Sequence, residues 1–189
     1  MGSNEFSAKD FRVLKGKTVK RFGGGRFVLT RDKITLPNQS TMKYHYIVCR
    51  TACSALVING NKEVLLLEQY RHPIKKIVYD VPAGGIRDGE TPEQAIRREL
   101  LEETGVKPGR LTSLGQITPQ PGRFDTWIET FLATDLEFVE PNLEDTEFLR
   151  KRFFAYTEVL RLVTEGKIED MTLLSILTLA RHHLENRFP

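Results

Sequence analysis

The sequence predicts an α+β fold, on three observations. Apolar and polar residues alternate with period two over much of Phe11 to Ile58, the period lengthens to three or four after Pro92, and two helical stretches close the chain. At 189 residues the chain fits one domain of ordinary size, or a compact domain carrying a small extra lobe.

Residues 1–7, MGSNEFS, read as an expression scar and carry no fold information. Three alternating segments follow, FRVLKGKTVKRF, RFVLTRDKITLP and TMKYHYIVC, broken by Gly23-Gly24-Gly25 and Pro37-Asn38. They predict a small N-terminal antiparallel sheet within residues 8–50. Ala52 to Ile58 and Glu63 to Glu68 form a hairpin around Asn59-Gly60-Asn61, because an Asn-Gly pair suits a tight turn. Both arms are rich in Val, Leu and Ile and are expected to be buried. After Thr91, Ala95, Ile96, Leu100 and Leu101 fall on one side of a helix whose other side is charged. Thr91 is its expected N-cap, Pro92 its first residue and Gly105 its terminator. Leu111 to Thr118 and Trp127 to Leu136 read as strands around the turn-rich PQPGRFD. Helices are predicted from Thr157 to Glu165, stopped by Gly166, and from Asp170 to His183.

Composition narrows the function classes. With 40% hydrophobic and 28% charged residues the chain reads as a soluble globular protein. The formal charge is only +3 and the basic residues are dispersed, so no nucleic-acid partner is indicated. No apolar run approaches the roughly 20 residues of a membrane span, and no signal peptide is visible, so no membrane partner and a cytoplasmic location are expected. Cys49 and Cys53 lack further ligands for a zinc site and, read as one strand, lie too far apart for a disulfide; they are expected as reduced thiols. His45, His182 and His183 have no partners at ligand spacing.

The chemically loaded segment is Gly84 to Val106, GGIRDGETPEQAIRRELLEETGV. Glu99, Glu102 and Glu103 stand three and four apart, so one helical face can aim all three at one point. Two readings follow from spacing: a solvated face with ion pairs to Arg97 and Arg98, or a site for a hard divalent cation that takes oxygen ligands. Spacing alone leaves both open.

The fuller pattern is more specific. Gly84, five residues, Glu90, seven residues, Arg98-Glu99-Leu100, one residue, Glu102-Glu103, one residue and Gly105-Val106 resembles the Nudix box at every specified position. The resemblance implies a three-layered α/β/α sandwich around a mixed β-sheet, with residues 51–189 as the catalytic domain. It also implies Mg²⁺ or Mn²⁺ held by Glu99, Glu103, Glu102 and the carbonyl of Ala83. Arg98 and Glu90 match the pair that orients the helix carboxylates. Physics is consistent with those roles, since a pyrophosphate repels bare carboxylates and a divalent cation neutralises it.

Flanking features narrow the resemblance. LLLEQYRHP, the PAGG entry to the box, Pro121-Gly122 and the ending EGKIEDMTLLSIL are similar to the ADP-ribose pyrophosphatase and nucleoside diphosphate sugar hydrolase branch. That implies hydrolysis of a nucleoside diphosphate sugar to a nucleoside monophosphate and a sugar phosphate. It implies that Arg71 contacts the substrate phosphates, where the bland reading is a rim-exposed arginine. It also implies a catalytic glutamate on the loop before the last helices, Glu147 first and Glu144 second. His72 and the PQPGRFD turn depart from the branch pattern and leave base and sugar open. Phe27, Tyr44 and Tyr46 could stack on a base, or could be ordinary cross-strand aromatics. The N-terminal sheet resembles the branch's subunit-exchanging region, which implies a homodimer. Two alternatives remain: a Nudix hydrolase of nucleoside triphosphates or capped RNA, and a non-catalytic Nudix-fold ligand sensor.

Overall fold

The computed structural model describes residues 7–140 and 149–187. In chain order it forms strands β1 (Arg12–Phe22), β2 (Phe27–Thr35), β3 (Thr41–Cys49), β4 (Ala52–Ile58), β5 (Glu63–Arg71), β6 (Lys76–Asp80) and β7 (Ala83–Gly85), then helix α1 (Pro92–Glu99). Strands β8 (Val106–Ile117), β9 (Phe124–Asp125), β10 (Ile128–Phe138) and β11 (Leu149–Ala155) follow, then helices α2 (Tyr156–Thr164) and α3 (Met171–Arg187). The chain divides into two compact units, Met1–Arg50 with Gln120–Thr126, and Thr51–Pro119 with Trp127–Pro189.

The first unit is a four-stranded sheet in the order β1-β2-β3-β9. Its first three strands are antiparallel, as the alternation predicts, with Phe22 opposite Phe27 and Asp32 opposite Tyr44. The turn between β1 and β2 contains Gly23, Gly24 and Gly25 at φ of 61°, 66° and 88°. Residues with a Cβ reach that region only with strain, which explains the triple glycine. The fourth strand comes from the PQPGRFD turn: Phe124 and Asp125 pair in parallel with Ile47 and Val48. No described residue of this unit is fully buried, and Val13, Val19, Phe22, Phe27 and Met42 are exposed.

The second unit is the three-layered sandwich that the sequence resemblance implies. Its mixed sheet runs β11-β5-β4-β10-β8, with β6 beside β5 and β7 beside β4. Among its described strands only β4 and β10 are parallel; the other pairs are antiparallel. Successive side chains of a strand point to opposite faces, so β4 feeds both layers. Leu56 and Ile58 join Leu162, Leu173, Ile176 and Ala180 of α2 and α3, whereas Cys53, Ala55 and Val57 join Ala95, Ile96 and Leu100 on the other face. Each such Leu, Ile or Val contributes about 1.5–3 kcal/mol by leaving water. Among the described residues no helix is long and apolar enough to cross a membrane.

One departure from regular pairing creates the opening in which the candidate site lies. β4 and β5 pair only at Val57 with Leu65 and Ile58 with Val64, next to their hairpin turn. Further along, β10 and β11 occupy their outer edges, and the inner edges take different partners: Ala52, Cys53 and Ser54 pair with β7, while Leu67 to Arg71 pair with β6. A strand has only two hydrogen-bonding edges, so β6, Val81, Pro82 and β7 must fill a wedge between β4 and β5. Pro82 is fixed there by its carbonyl, which accepts from the Ala55 N–H at 3.0 Å.

The first helix starts as predicted. Thr91 Oγ1 accepts the Gln94 N–H at 3.2 Å and Gln94 Oε1 accepts the Thr91 N–H at 2.9 Å, a reciprocal capping box ahead of Pro92. It does not continue as one α-helix to Gly105. After Glu99 the backbone widens into a π-turn over Leu100–Thr104, ended by Gly105 at φ 69°. Lys151 Nζ reaches the carbonyl of Thr104 at 2.7 Å and satisfies one oxygen that the helix end leaves over. Cys49 and Cys53 are free thiols and lie on separate strands, β3 and β4, rather than on one.

Candidate active site

β7 and the end of α1 bring the box residues together. The Ala83 N–H donates to Glu103 Oε2 at 3.2 Å, and the carboxylate of Glu99 lies directly against Gly84. Two acids therefore rest on one short strand. Glu99 and Glu103 are only 9% and 7% exposed, an unusual position for glutamates. Burial raises the pKa of the Glu99 carboxyl, and this outweighs the lowering by Arg98.

Arg98 organises the remaining acids. Its Nε and Nη2 form a fork on Glu90 at 2.7 and 3.0 Å, while Nη1 reaches Glu99 at 2.6 Å and Glu102 at 3.0 Å. Nη2 also donates to the carbonyl of Gly85 at 3.1 Å. A guanidinium matches a carboxylate bidentately, which fixes both groups in orientation as well as in charge. The Arg98 hydrogen bonds, helped by the Arg87 N–H, hold Glu90 down at about 2, while Glu90 pushes Arg98 further up. Glu90 thus belongs to the scaffold of the site.

Glu99 and Glu103 meet β7, and Glu99 also shares Arg98 Nη1 with Glu102, which lies 3.7 Å from Arg87. Among the described residues no three acidic, His or Cys side chains already stand as a ligand cluster. The donor set still suits a hard divalent cation: it is all oxygen, anionic and half-buried, and a cation would offset the cost of burying Glu99 and Glu103.

Arg71 ends β5, and its Nη2 pairs with Asp80 Oδ2. Asp80 closes β6 opposite Leu67 and lies three residues before Ala83. The sequence reading missed Asp80, a lone acid between apolar residues, and Arg87, at an unspecified box position. It also missed the contact of Cys53, whose Sγ–H donates to the Gly84 carbonyl at 3.5 Å. Burial, then the Glu99 charge, pushes that thiol up to about 12.

Phe27, Tyr46, Pro121 and Gly122 all belong to the first unit. Phe27 stacks on Phe22 with ring centroids 5.5 Å apart, and Tyr46 donates its hydroxyl to Asp32 at 3.0 Å. Tyr44, two residues from Tyr46 and on the same face, donates to the Gly122 carbonyl at 2.9 Å and so holds the Pro121-Gly122 turn. Glu144 and Glu147 lie outside the described residues.

A model of the NUDIX domain matches residues 49–173. The chain is 28% identical to an ADP-ribose pyrophosphatase of Bacillus subtilis (strain 168), an alignment covering 84% of this chain and 89% of that protein. It is 31% identical to a methanol dehydrogenase activator of Bacillus methanolicus over the same shares, 84% and 89%. Among solved structures, an ADP compounds hydrolase has a similar fold at a TM-score of 0.82, with 20% identity and coverage of 94% of this chain and 96% of that one.

Proposed function

This chain belongs to the Nudix family and is a pyrophosphohydrolase, and from that premise we propose that it cuts the pyrophosphate of a nucleoside diphosphate sugar, ADP-ribose or similar, into a nucleoside monophosphate and a sugar phosphate. The observation that carries the reading is the seating of two buried carboxylates, Glu99 and Glu103, on the Ala83–Gly84 strand. The names of relatives that act on ADP-ribose and ADP compounds support the substrate class.

Glu99, Glu102 and Glu103 with the carbonyl of Ala83 are the residues that would hold Mg²⁺ or Mn²⁺. When bound, such a cation neutralises pyrophosphate charge and favours ionisation of water. Arg98 holds Glu99 and Glu102 in orientation by hydrogen bonds, with Glu90 bracing its other edge. Arg71 grips phosphate oxygens of the substrate. Glu147, with Glu144 as the second choice, takes the proton of the attacking water.

A homodimer accompanies this reading. The four-stranded sheet exposes Val13, Val19, Phe22, Phe27 and Met42 and buries no described residue, so a second copy would supply the layer that covers it. Light scattering at micromolar concentration is expected to give twice the chain mass; a monomer would reject it. Two free cysteines fit a reducing compartment, the cytoplasm.

The test is a substrate panel with Mg²⁺ or Mn²⁺: ADP-ribose, GDP-mannose, UDP-glucose, a nucleoside triphosphate and a dinucleotide. A nucleoside diphosphate sugar is expected to give the highest kcat/KM, with no inorganic phosphate formed. Preference for the triphosphate, or no turnover of any member, would overturn the proposal.

A further inference from the structure

The link between Arg71 and the carboxylate cluster runs through Asp80. Asp80 is 3% exposed, and both of its oxygens are engaged: Oδ1 accepts the Val81 N–H at 2.8 Å and Oδ2 pairs with Arg71. The Arg71 side chain itself is 46% exposed. One edge of its guanidinium is thus tied down while much of the group faces solvent. Arg71 stands four residues beyond Leu67 on β5, and Leu67 is directly opposite Asp80, so the long side chain lies back along the sheet to reach its partner.

The position of Asp80 matters as much as its charge. It begins the crossing Asp80-Val81-Pro82-Ala83 that fills the wedge between β5 and β4. At the far end of the crossing, Glu103 holds the Ala83 N–H and Gly84 supports Glu99. Ser54 Oγ and the Ala55 N–H both donate to the Pro82 carbonyl, at 3.1 and 3.0 Å, so the crossing is pinned in its middle. A fixed distance is therefore set between the arginine and the acids.

Resting on the reading that Arg71 grips the substrate phosphates, we propose that Asp80 is a positioning residue that holds Arg71 in register with the Glu99 and Glu103 carboxylates. An arginine free in solvent gives up several rotatable bonds when it grips an anion. Arg71 has given up part of that freedom before substrate arrives. A second acid, Asp170 at the start of α3, also senses Asp80, and its carboxyl is raised first by burial and then by the Asp80 charge. Arg71 thus lies within electrostatic reach of two acids, paired with Asp80 and acting on the Asp170 carboxyl.

The test uses full-length protein with ADP-ribose and Mg²⁺. Asp80→Asn removes the charge while retaining the shape, and Asp80→Glu keeps the charge but shifts it. Either variant is expected to raise KM roughly three- to tenfold, the equivalent of re-ordering one long side chain on binding, with kcat within about twofold. Arg71→Ala is expected to raise KM at least as much, and adding Asp80→Asn to it should change KM no further, because the two residues act as one unit. A purely structural Asp80 would instead lower the melting temperature and leave KM unchanged, which overturns the proposal. Additive KM effects in the double variant overturn it as well. If Arg71→Ala itself leaves KM unchanged, the phosphate-gripping role of Arg71 fails first and this inference goes with it.

Discussion

The carboxylate of Glu99 fills the space in which a side chain on Gly84 would begin. A Cβ built on Gly84 would stand 2.0 Å from Glu99 Cδ and Oε1, where ordinary contact starts at 3.4 Å. The glycine of the box is needed here for room, since it is absent from the glycines with positive φ. Gly84→Ala must push Glu99 away by more than an ångström. We expect kcat to fall by about a hundredfold, the usual cost of misplacing an active group by about that distance, with the circular dichroism spectrum unchanged. Wild-type turnover in Gly84→Ala would show that Glu99 does not work from this position.

Glu103→Gln separates charge from shape. The amide oxygen can still accept the Ala83 N–H, so the fold should survive, but one anionic oxygen is lost from the cation-holding set. Turnover of ADP-ribose is expected to drop by about two orders of magnitude or more, as removal of a metal-holding group commonly does. Excess EDTA should abolish wild-type turnover. Full activity in either case contradicts the role given to the helix carboxylates.

The pairing of Glu90 with Arg98 predicts an acid-range signature. The folded-state pKa of Glu90 is about 2, below the ordinary 4.5, so its contribution to stability is fully present above 4.5 and disappears as pH falls through about 2. Urea denaturation of wild type and Glu90→Gln in EDTA should therefore differ by a constant amount at neutral pH. That difference should shrink only between pH 4.5 and pH 2. A difference that persists unchanged at pH 2 would mean that Glu90 and Arg98 are not paired in solution.

Glu147→Gln is expected to lower kcat by about a hundredfold or more with KM nearly unchanged, the size of a general-base contribution. Glu144→Gln should be mild. The reverse ranking transfers the role to Glu144, and two mild variants remove both glutamates from the chemistry.

Much of the site was legible because its signals are local. The box residues lie within one turn and one helix, and Thr91, Pro92 and Gly105 announce the ends of that helix by their own conformational preferences. The alternation in β1 to β3, and the Asn-Gly turn between the apolar runs of β4 and β5, likewise need only neighbouring residues. What stayed hidden depends on chain segments far apart. Asp80 shows nothing in sequence of its pairing with Arg71, because the β5 to β6 register decides it. β9 is two residues long and has no period to detect. β11 reads LRKRFFA, where three basic residues hide a strand that is ordinary once β5 lies beside it. The π-turn at Leu100–Thr104 uses residues that would equally continue an α-helix, so the apolar period does not announce it.

The parallel pairing of β9 with β3 sets a limit on how this chain can be taken apart. Ile47 meets Phe124, so the first sheet is completed by a segment that leaves the second unit after Pro119 and returns to it at Trp127. A cut after Arg50 does not excise a module: it carries off three strands and leaves the fourth behind, with the edge that Phe124 and Asp125 shared with β3 newly bared to solvent. The same thread means that the sheet closes only when residues far apart along the chain have met, a contact of high sequence separation that costs loop entropy before it returns anything. Transplanting this sheet onto another scaffold would require moving the Gln120–Thr126 loop with it.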